Sequence, residues 1–206
     1  KPLVTQLVRR GHEVTGMTRS DSKQDSLREL GARPVVADAL DPDAVARAVA
    51  EADPDVIVHQ LTAISAMNPR RMERDFAATN RLRTEGTDHL LAAGRAVGVK
   101  RFVAQSFAPW PYARTGGMVK SEDDPVDTTP PAQVRTTLEA IMYLERAVTG
   151  ADWTEGIALR YGGFYGPGPS VSLNPLGEQV ETIRARTLPL AGKGTAVWPS
   201  IHIEAA

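Results

Sequence analysis

The sequence predicts an α/β protein built on a doubly wound parallel sheet with helices on both faces, and three observations carry that expectation. Short apolar, strand-like runs alternate with helical stretches of about ten residues or more, the spacing that parallel crossovers require. Several helical stretches close on a glycine, at Gly11, Gly31 and Gly98, a residue that tolerates the left-handed turn after a helix. The strand-like runs end in loops that begin at Thr18, Asp38, Gln60, Ser106 and Tyr161, and ligands of such sheets sit beyond the carboxyl ends of the strands.

Each element has its own signal. Apolar residues at positions 3, 4, 7 and 8 repeat with the helical period and predict a first helix closed by Gly11. His12 to Thr18 reads as the strand that follows. A helix at the chain's start that feeds a strand is expected to be the middle of a longer β-α-β unit. A polar turn from Arg19 leads to a short helix through Leu27 and Leu30, and Pro34 to Ala37 reads as the next strand. Asp41-Pro42 places a capping carboxylate before a proline in the first helical turn, and Val45, Ala48 and Val49 share one face of that helix. Asp55 to His59 reads as a buried strand, roughly 70–97 as one long helix, and Arg101 to Gln105 as another strand. Residues 107–132 hold five prolines and two adjacent glycines, a loop long enough to suggest function or mobility. A helix over 133–148, a strand over 156–160 and a Gly/Pro-rich end to the regular pattern at 162–169 complete the reading, with a last strand over 198–203 that stops just short of Ala206. Trp110, Trp153 and Trp198 read as packing residues.

Composition narrows the function. The chain has 206 residues, 42% hydrophobic and 24% charged, with a formal net charge of −1. That balance offers no basic footprint for nucleic acid and no polybasic patch for a membrane. No apolar run approaches the roughly 18–20 residues that span a bilayer. Cysteine is absent, which excludes disulfides, zinc thiolates and a cysteine nucleophile. The cytoplasm is the expected compartment. The four histidines stand apart, none with a partner at metal-ligand spacing, so no metal site is expected.

Several segments in order resemble one family. Gly11-His12-Glu13-Val14 enters a second strand, Asp38-Ala39-Leu40-Asp41 forms an acidic turn, and Val56-Ile57-Val58-His59 is an apolar strand ending in histidine. Gly86-Thr87 precedes Leu90-Leu91, then come Gly98-Val99-Lys100-Arg101-Phe102-Val103 and Leu159-Arg160-Tyr161 through Gly166-Pro167-Gly168. Together these resemble the NAD(P)-dependent epimerase/dehydratase family, the extended short-chain dehydrogenases. The resemblance implies a Rossmann-type fold, a nicotinamide dinucleotide, and a small-molecule substrate such as a sugar nucleotide or another hydroxyl or carbonyl compound. It implies a dinucleotide-binding domain over 1–160 and the start of a smaller substrate-binding part over 161–206. The family's glycine-rich phosphate loop and its strand would lie upstream of Lys1. Relatives also imply a homodimer paired through helices near 75–97 and 133–148.

The resemblance assigns the cofactor contacts to Thr18, Arg19, Ser20, Asp38, Ala39, Gln60, Leu61, Thr62, Ser106 and Tyr161. NAD-preferring relatives place an acid at the end of the second strand to bind the ribose hydroxyls. Thr18 stands there, followed by Arg19, and a guanidinium can pair bidentately with a 2′-phosphate. Ser20 and Lys23 could assist, so NADP is expected, with NAD as the alternative. Asp38 corresponds to the family's adenine-side acid.

Family catalysis uses a Tyr and a Lys one helical turn apart, with a Ser or Thr from a strand end; the lysine lowers the phenol's pKa for proton exchange. None of Tyr112, Tyr143, Tyr161 and Tyr165 has a lysine four residues on. If Glu145 matches the family glutamate, the tyrosine place falls on Thr137 and the lysine place on Ile141. The serine place falls on Phe107, one after Ser106. No catalytic residue is assigned, although Tyr112, Lys120 and Tyr161 could serve near the site. A catalytically silent dinucleotide-binding protein and an interaction domain without cofactor are the rival readings.

Overall fold

The computed structural model describes residues 1–64, 71–109, 111–169, 171–173, 175–188 and 197–206. The chain divides into two compact units, one of residues 1–106 and 130–159, the other of residues 107–129 and 160–206.

The first unit is an α/β assembly of Rossmann type. Its helices are α1 (Pro2–Arg9), α2 (Gln24–Glu29), α3 (Pro42–Ala52), α4 (Met72–Arg83), α5 (Glu85–Val97) and α6 (Ala132–Thr149). Its strands are β1 (Thr15–Thr18), β2 (Arg33–Val36), β3 (Val56–His59), β4 (Arg101–Phe107) and β5 (Glu155–Tyr161), the last two running on to positions 107 and 160–161. β1 and β2 form one parallel pair, and β3, β4 and β5 form a separate sheet in that order. The register aligns Thr18 with Val36 and His59 with Ala104.

The hydrophobic core belongs to the three-stranded sheet. Val45 and Val49 of α3, Ile57, Leu90 and Ala93 of α5, Phe102, Ala104, and Leu144 and Val148 of α6 form one buried cluster, with Met17, Leu61 and Trp153 packed against it. Gly94 lets α5 approach β3, since a Cβ there would lie 3.0 Å from Ile57 Cδ1. Asp41 caps α3 as expected, its Oδ1 accepting from the backbone N–H groups of Asp43 and Ala44 at 3.0 and 3.1 Å. Gly98 closes α5 at φ 76°.

Two sequence expectations are corrected. The helix read over 70–97 is two helices, broken at Thr84, whose φ of −102° and ψ of −83° are not helical. Apolar periodicity is blind to such a break, because the stripe resumes on the other side. The end of regular pattern expected at 162–169 is also corrected, although the strand expected over 198–203 is present as β7. β6 (Gly163–Tyr165) pairs in parallel with β7 (Ser200–His202), and α7 (Glu178–Arg184) lies between them in sequence. These elements are short, and the partner of β6 is 37 residues on, so local pattern could not reveal it. In the second unit Phe107 and Trp198 meet at 6.3 Å between ring centroids. Position 70 and Trp110 lie outside the described residues.

Candidate functional site

β1 and β2 end side by side. The Ala37 N–H donates to the Thr18 carbonyl at 3.0 Å, so Arg19 and Asp38 leave neighbouring strands at the same edge. Thr18 Oγ1 accepts from the Ser20 N–H at 3.2 Å, which turns the chain, and the Ser20 and Ser22 hydroxyls lie 2.8 Å apart. Arg19 is exposed and makes no side-chain hydrogen bond or ion pair among the described residues. Asp38 Oδ1 accepts from the Leu40 N–H at 3.0 Å, which shapes the acidic turn. Ala39 is buried, and its carbonyl meets His89 Nδ1 of α5 at 2.9 Å.

β3 ends at the same helix. His59 is 2% exposed, and its Nε2 lies 3.1 Å from Thr87 Oγ1 and 3.2 Å from the Leu82 carbonyl. The Thr87 hydroxyl donates its own proton to the Arg83 carbonyl at 2.8 Å. The Leu61 N–H donates to His59 Nδ1 at 3.3 Å. Every partner of Nε2 therefore accepts and the partner of Nδ1 donates, which fixes the neutral tautomer with its proton on Nε2. Burial pushes this imidazole down to about 4. The histidine is thus a structural clasp between β3 and the break at Thr84. Ala39 and His59 dock on α5 at His89 and Thr87, two residues apart, which brings the ends of β2 and β3 to one helix end. The loop from Gln60 is held further along, where the Ala63 N–H donates to Thr79 Oγ1 at 3.0 Å. Gln60 and Leu61 are half-buried and Thr62 is exposed.

The positions where the resemblance seeks catalytic groups carry packing groups. Thr137 and Ile141 are 2% and 1% exposed on the inward face of α6, and Asn80 Nδ2 donates to Thr137 Oγ1 at 3.1 Å. Ser106 is buried, and its hydroxyl donates to Glu145 Oε1 at 2.5 Å. Its proton is committed, leaving only an acceptor oxygen for any ligand. Tyr161 lies in the second unit, its ring 5.3 Å from that of Phe164. In the same unit the Tyr112 oxygen accepts from Arg160 Nη1 at 3.0 Å, while Lys120 donates to the Thr115 carbonyl.

These edges fit a nicotinamide dinucleotide. The Arg19 guanidinium, unpaired among the described residues, the Ser20 hydroxyl and the acidic Asp38 turn set donors and an acceptor side by side at the ends of β1 and β2. A surface depression lined by Asp55, Val56, Lys100, Arg101 and Glu155 sits at the opposite, N-terminal ends of β3, β4 and β5. Its charges neutralise one another, Lys100 with Asp55 at 2.6 Å and Arg101 with Glu155 at 2.6 Å. Among the described residues no group of three His, Asp or Glu side chains could hold a metal ion, and no helix is long and apolar enough to cross a membrane.

Sequence reasoning missed Thr79, Asn80, Arg83 and Thr87. A signal existed for Arg83, which lies seven, four and three residues beyond the buried Phe76, Thr79 and Asn80, and so continues their face of α4.

A family described as NAD(P)H-binding matches residues 1–164. The chain belongs to that family. It is 42% identical over 207 residues to a 3-diazoavenalumate denitrifying reductase of a Streptomyces species, covering 100% of this chain and 65% of the relative. It is 29% identical over 187 residues to a 3-beta-hydroxysteroid dehydrogenase of Mycolicibacterium neoaurum, covering 86% of this chain and 48% of the relative. The chain therefore spans about two thirds and about half of these relatives. The fold matches the crystal structure of Thermus thermophilus UDP-glucose 4-epimerase in complex with NAD, with a TM-score of 0.68, 24% identity, and coverage of 98% of this chain and 67% of that one. The chain thus has a Rossmann-type fold and belongs to a family that binds a nicotinamide dinucleotide.

Proposed function

We propose that the chain is the NADP-binding part of a reductase that acts on a small-molecule substrate. Residues 1–160 form the dinucleotide domain in this reading, and 161–206 belong to the substrate-binding part. Arg19, with Ser20 beside it, receives the 2′-phosphate, and Thr18 stands where a NAD-selective acid would repel it. Asp38 and Ala39 border the adenine, and Gln60, Leu61, Thr62 and Ser106 line the nicotinamide side. The observation that carries the NADP preference is the exposed Arg19 guanidinium, which has no partner among the described residues. One further parallel strand pairs with the open edge of β3 in this reading. Its support is the uncovered apolar surface there, since Val56 and Val58 of β3 are 43% and 37% exposed and α1 buries no residue.

When bound, the dinucleotide supplies a hydride. Thr137 and Ile141 offer no phenol and no lysine to exchange a proton with an alkoxide. This chain's residues therefore favour an electrophile that takes hydride without building charge on oxygen, such as a diazonium carbon that loses dinitrogen. The 42% identical relative is named for a denitrifying reduction of a diazo compound. A carbonyl or hydroxyl substrate remains the second reading, favoured by the epimerase-type fold.

Calorimetric titration of the full-length protein with NADPH and NADH tests the cofactor. NADPH binds more tightly, and Arg19→Ala weakens NADPH about ten- to hundredfold while leaving NADH unchanged. An unchanged preference overturns the assignment of Arg19. Loss of nicotinamide absorbance with an aryl diazonium salt, against a panel of carbonyls, separates the two substrate classes. Tight binding without turnover on either points instead to a silent dinucleotide-binding protein.

A further inference from the structure

Arg83 closes α4 with a guanidinium that has nowhere to go. It follows Phe76, Thr79 and Asn80 on the helix face that is turned inward. Thr79 on that face holds the loop after β3 through the Ala63 N–H, and Asn80 reaches Thr137 on α6. The charge is close enough to His59, at the carboxyl end of β3, to disfavour protonation of that imidazole. Arg83 Nη1 is shut off from solvent without a hydrogen-bond partner, and the side chain makes no hydrogen bond or ion pair among the described residues. His59 cannot neutralise it, because its ring is neutral and its Nε2 proton already points to the Leu82 carbonyl and Thr87 Oγ1. Asn80 Oδ1 is a second buried polar atom on the same face that lacks a partner.

Leaving a cation half-buried and unpaired is costly, and proteins rarely carry one unless something binds it. Burial lowers this guanidinium to about 10, so it stays charged at neutral pH. A planar fork of N–H donors is built to grip an oxyanion with two parallel hydrogen bonds. We propose that Arg83 is the oxyanion receptor of this site, binding a carboxylate or a phosphate beside residues 60–64 at the end of β3. The proposal deepens the reductase reading, because it makes the ligand at that loop an acid. The two sources are a carboxylate on the substrate and the pyrophosphate of the dinucleotide.

The test uses thermal unfolding and calorimetry of the full-length protein at low ionic strength, with Arg83→Met and Arg83→Lys. The probes are inorganic pyrophosphate, benzoate and NADPH. Without ligand, Arg83→Met raises Tm by about 2–6 °C, because an uncompensated buried charge is removed. The same variant loses about ten- to hundredfold in affinity for the oxyanion, and Arg83→Lys retains part of it. Loss confined to benzoate assigns the substrate carboxylate; loss of pyrophosphate and NADPH together assigns the dinucleotide. If both variants bind all three probes as the unmodified protein does, the proposal is overturned. A fall in Tm for Arg83→Met with unchanged binding overturns it too, since that marks a structural arginine. Failure of NADPH binding in the unmodified protein would sink the cofactor reading while the benzoate arm still decides the role of Arg83.

Discussion

The two sheets of the first unit are unequal. β3, β4 and β5 rest on α3, α5 and α6, and they hold the buried cluster in which Phe102, Val45 and Val148 are fully enclosed. β1 and β2 carry only half-buried or exposed side chains, and neither α1 nor α2 buries a residue. Sequence quality does not explain this, because α1 has as clear an apolar face as any helix in the chain. What differs is pairing. Among the described residues β1 has β2 as its only partner, while β4 has a strand on each side. An apolar face contributes to stability only when something covers it. The half that carries Arg19 and Asp38 is therefore the half with the weaker core, and the loops proposed to bind the dinucleotide sit where packing holds them least.

The largest expected effect would break this comparison if it failed. Phe102→Ala should destabilise by about 3–5 kcal/mol, while Leu7→Ala on α1 should cost about 1 kcal/mol or less in the same urea titration. Equal losses would show that the two halves share one core. If a further strand does fill the open edge of β3, the cost of Leu7→Ala will grow in the full-length protein, and Phe102→Ala will not change.

A smaller effect sharpens the contrast through His59. Its folded value of about 4 lies below the ordinary 6.5, so the unfolded chain takes up the proton first as pH falls. The stabilising contribution is complete above about pH 6.5 and is lost progressively down to about pH 4, a total of about 3 kcal/mol. Unfolding midpoints between pH 7 and pH 4 should drop steeply in the unmodified protein, and His59→Gln should flatten that stretch of the profile. An unaltered profile would mean that His59 is not held neutral.

Much of the fold was legible because its signals are local. Asp41 before Pro42, Gly98 after Val97 and the alternation of β4 each depend on neighbours in sequence. The break at Thr84 was not legible, since it is stabilised by His59 from 23 residues away reaching the Leu82 carbonyl. The pairing of β6 with β7 was hidden for the same reason. At the site, Thr18, Arg19 and Asp38 follow from strand ends that the pattern locates. The helical spacing put Arg83 on the inward face of α4, but a charged residue near a helix end ordinarily reads as solvated, and only the packed structure shows that its Nη1 lacks a partner among the described residues.

Hydrogen–deuterium exchange of the full-length protein with and without NADPH addresses the location of the site directly. Slowed exchange at residues 18–20, 38–40 and 60–64, with Asp55, Lys100 and Glu155 unaffected, is the predicted result. Protection confined to those last three residues, or none anywhere, would contradict the placement of the dinucleotide at the carboxyl ends of the strands.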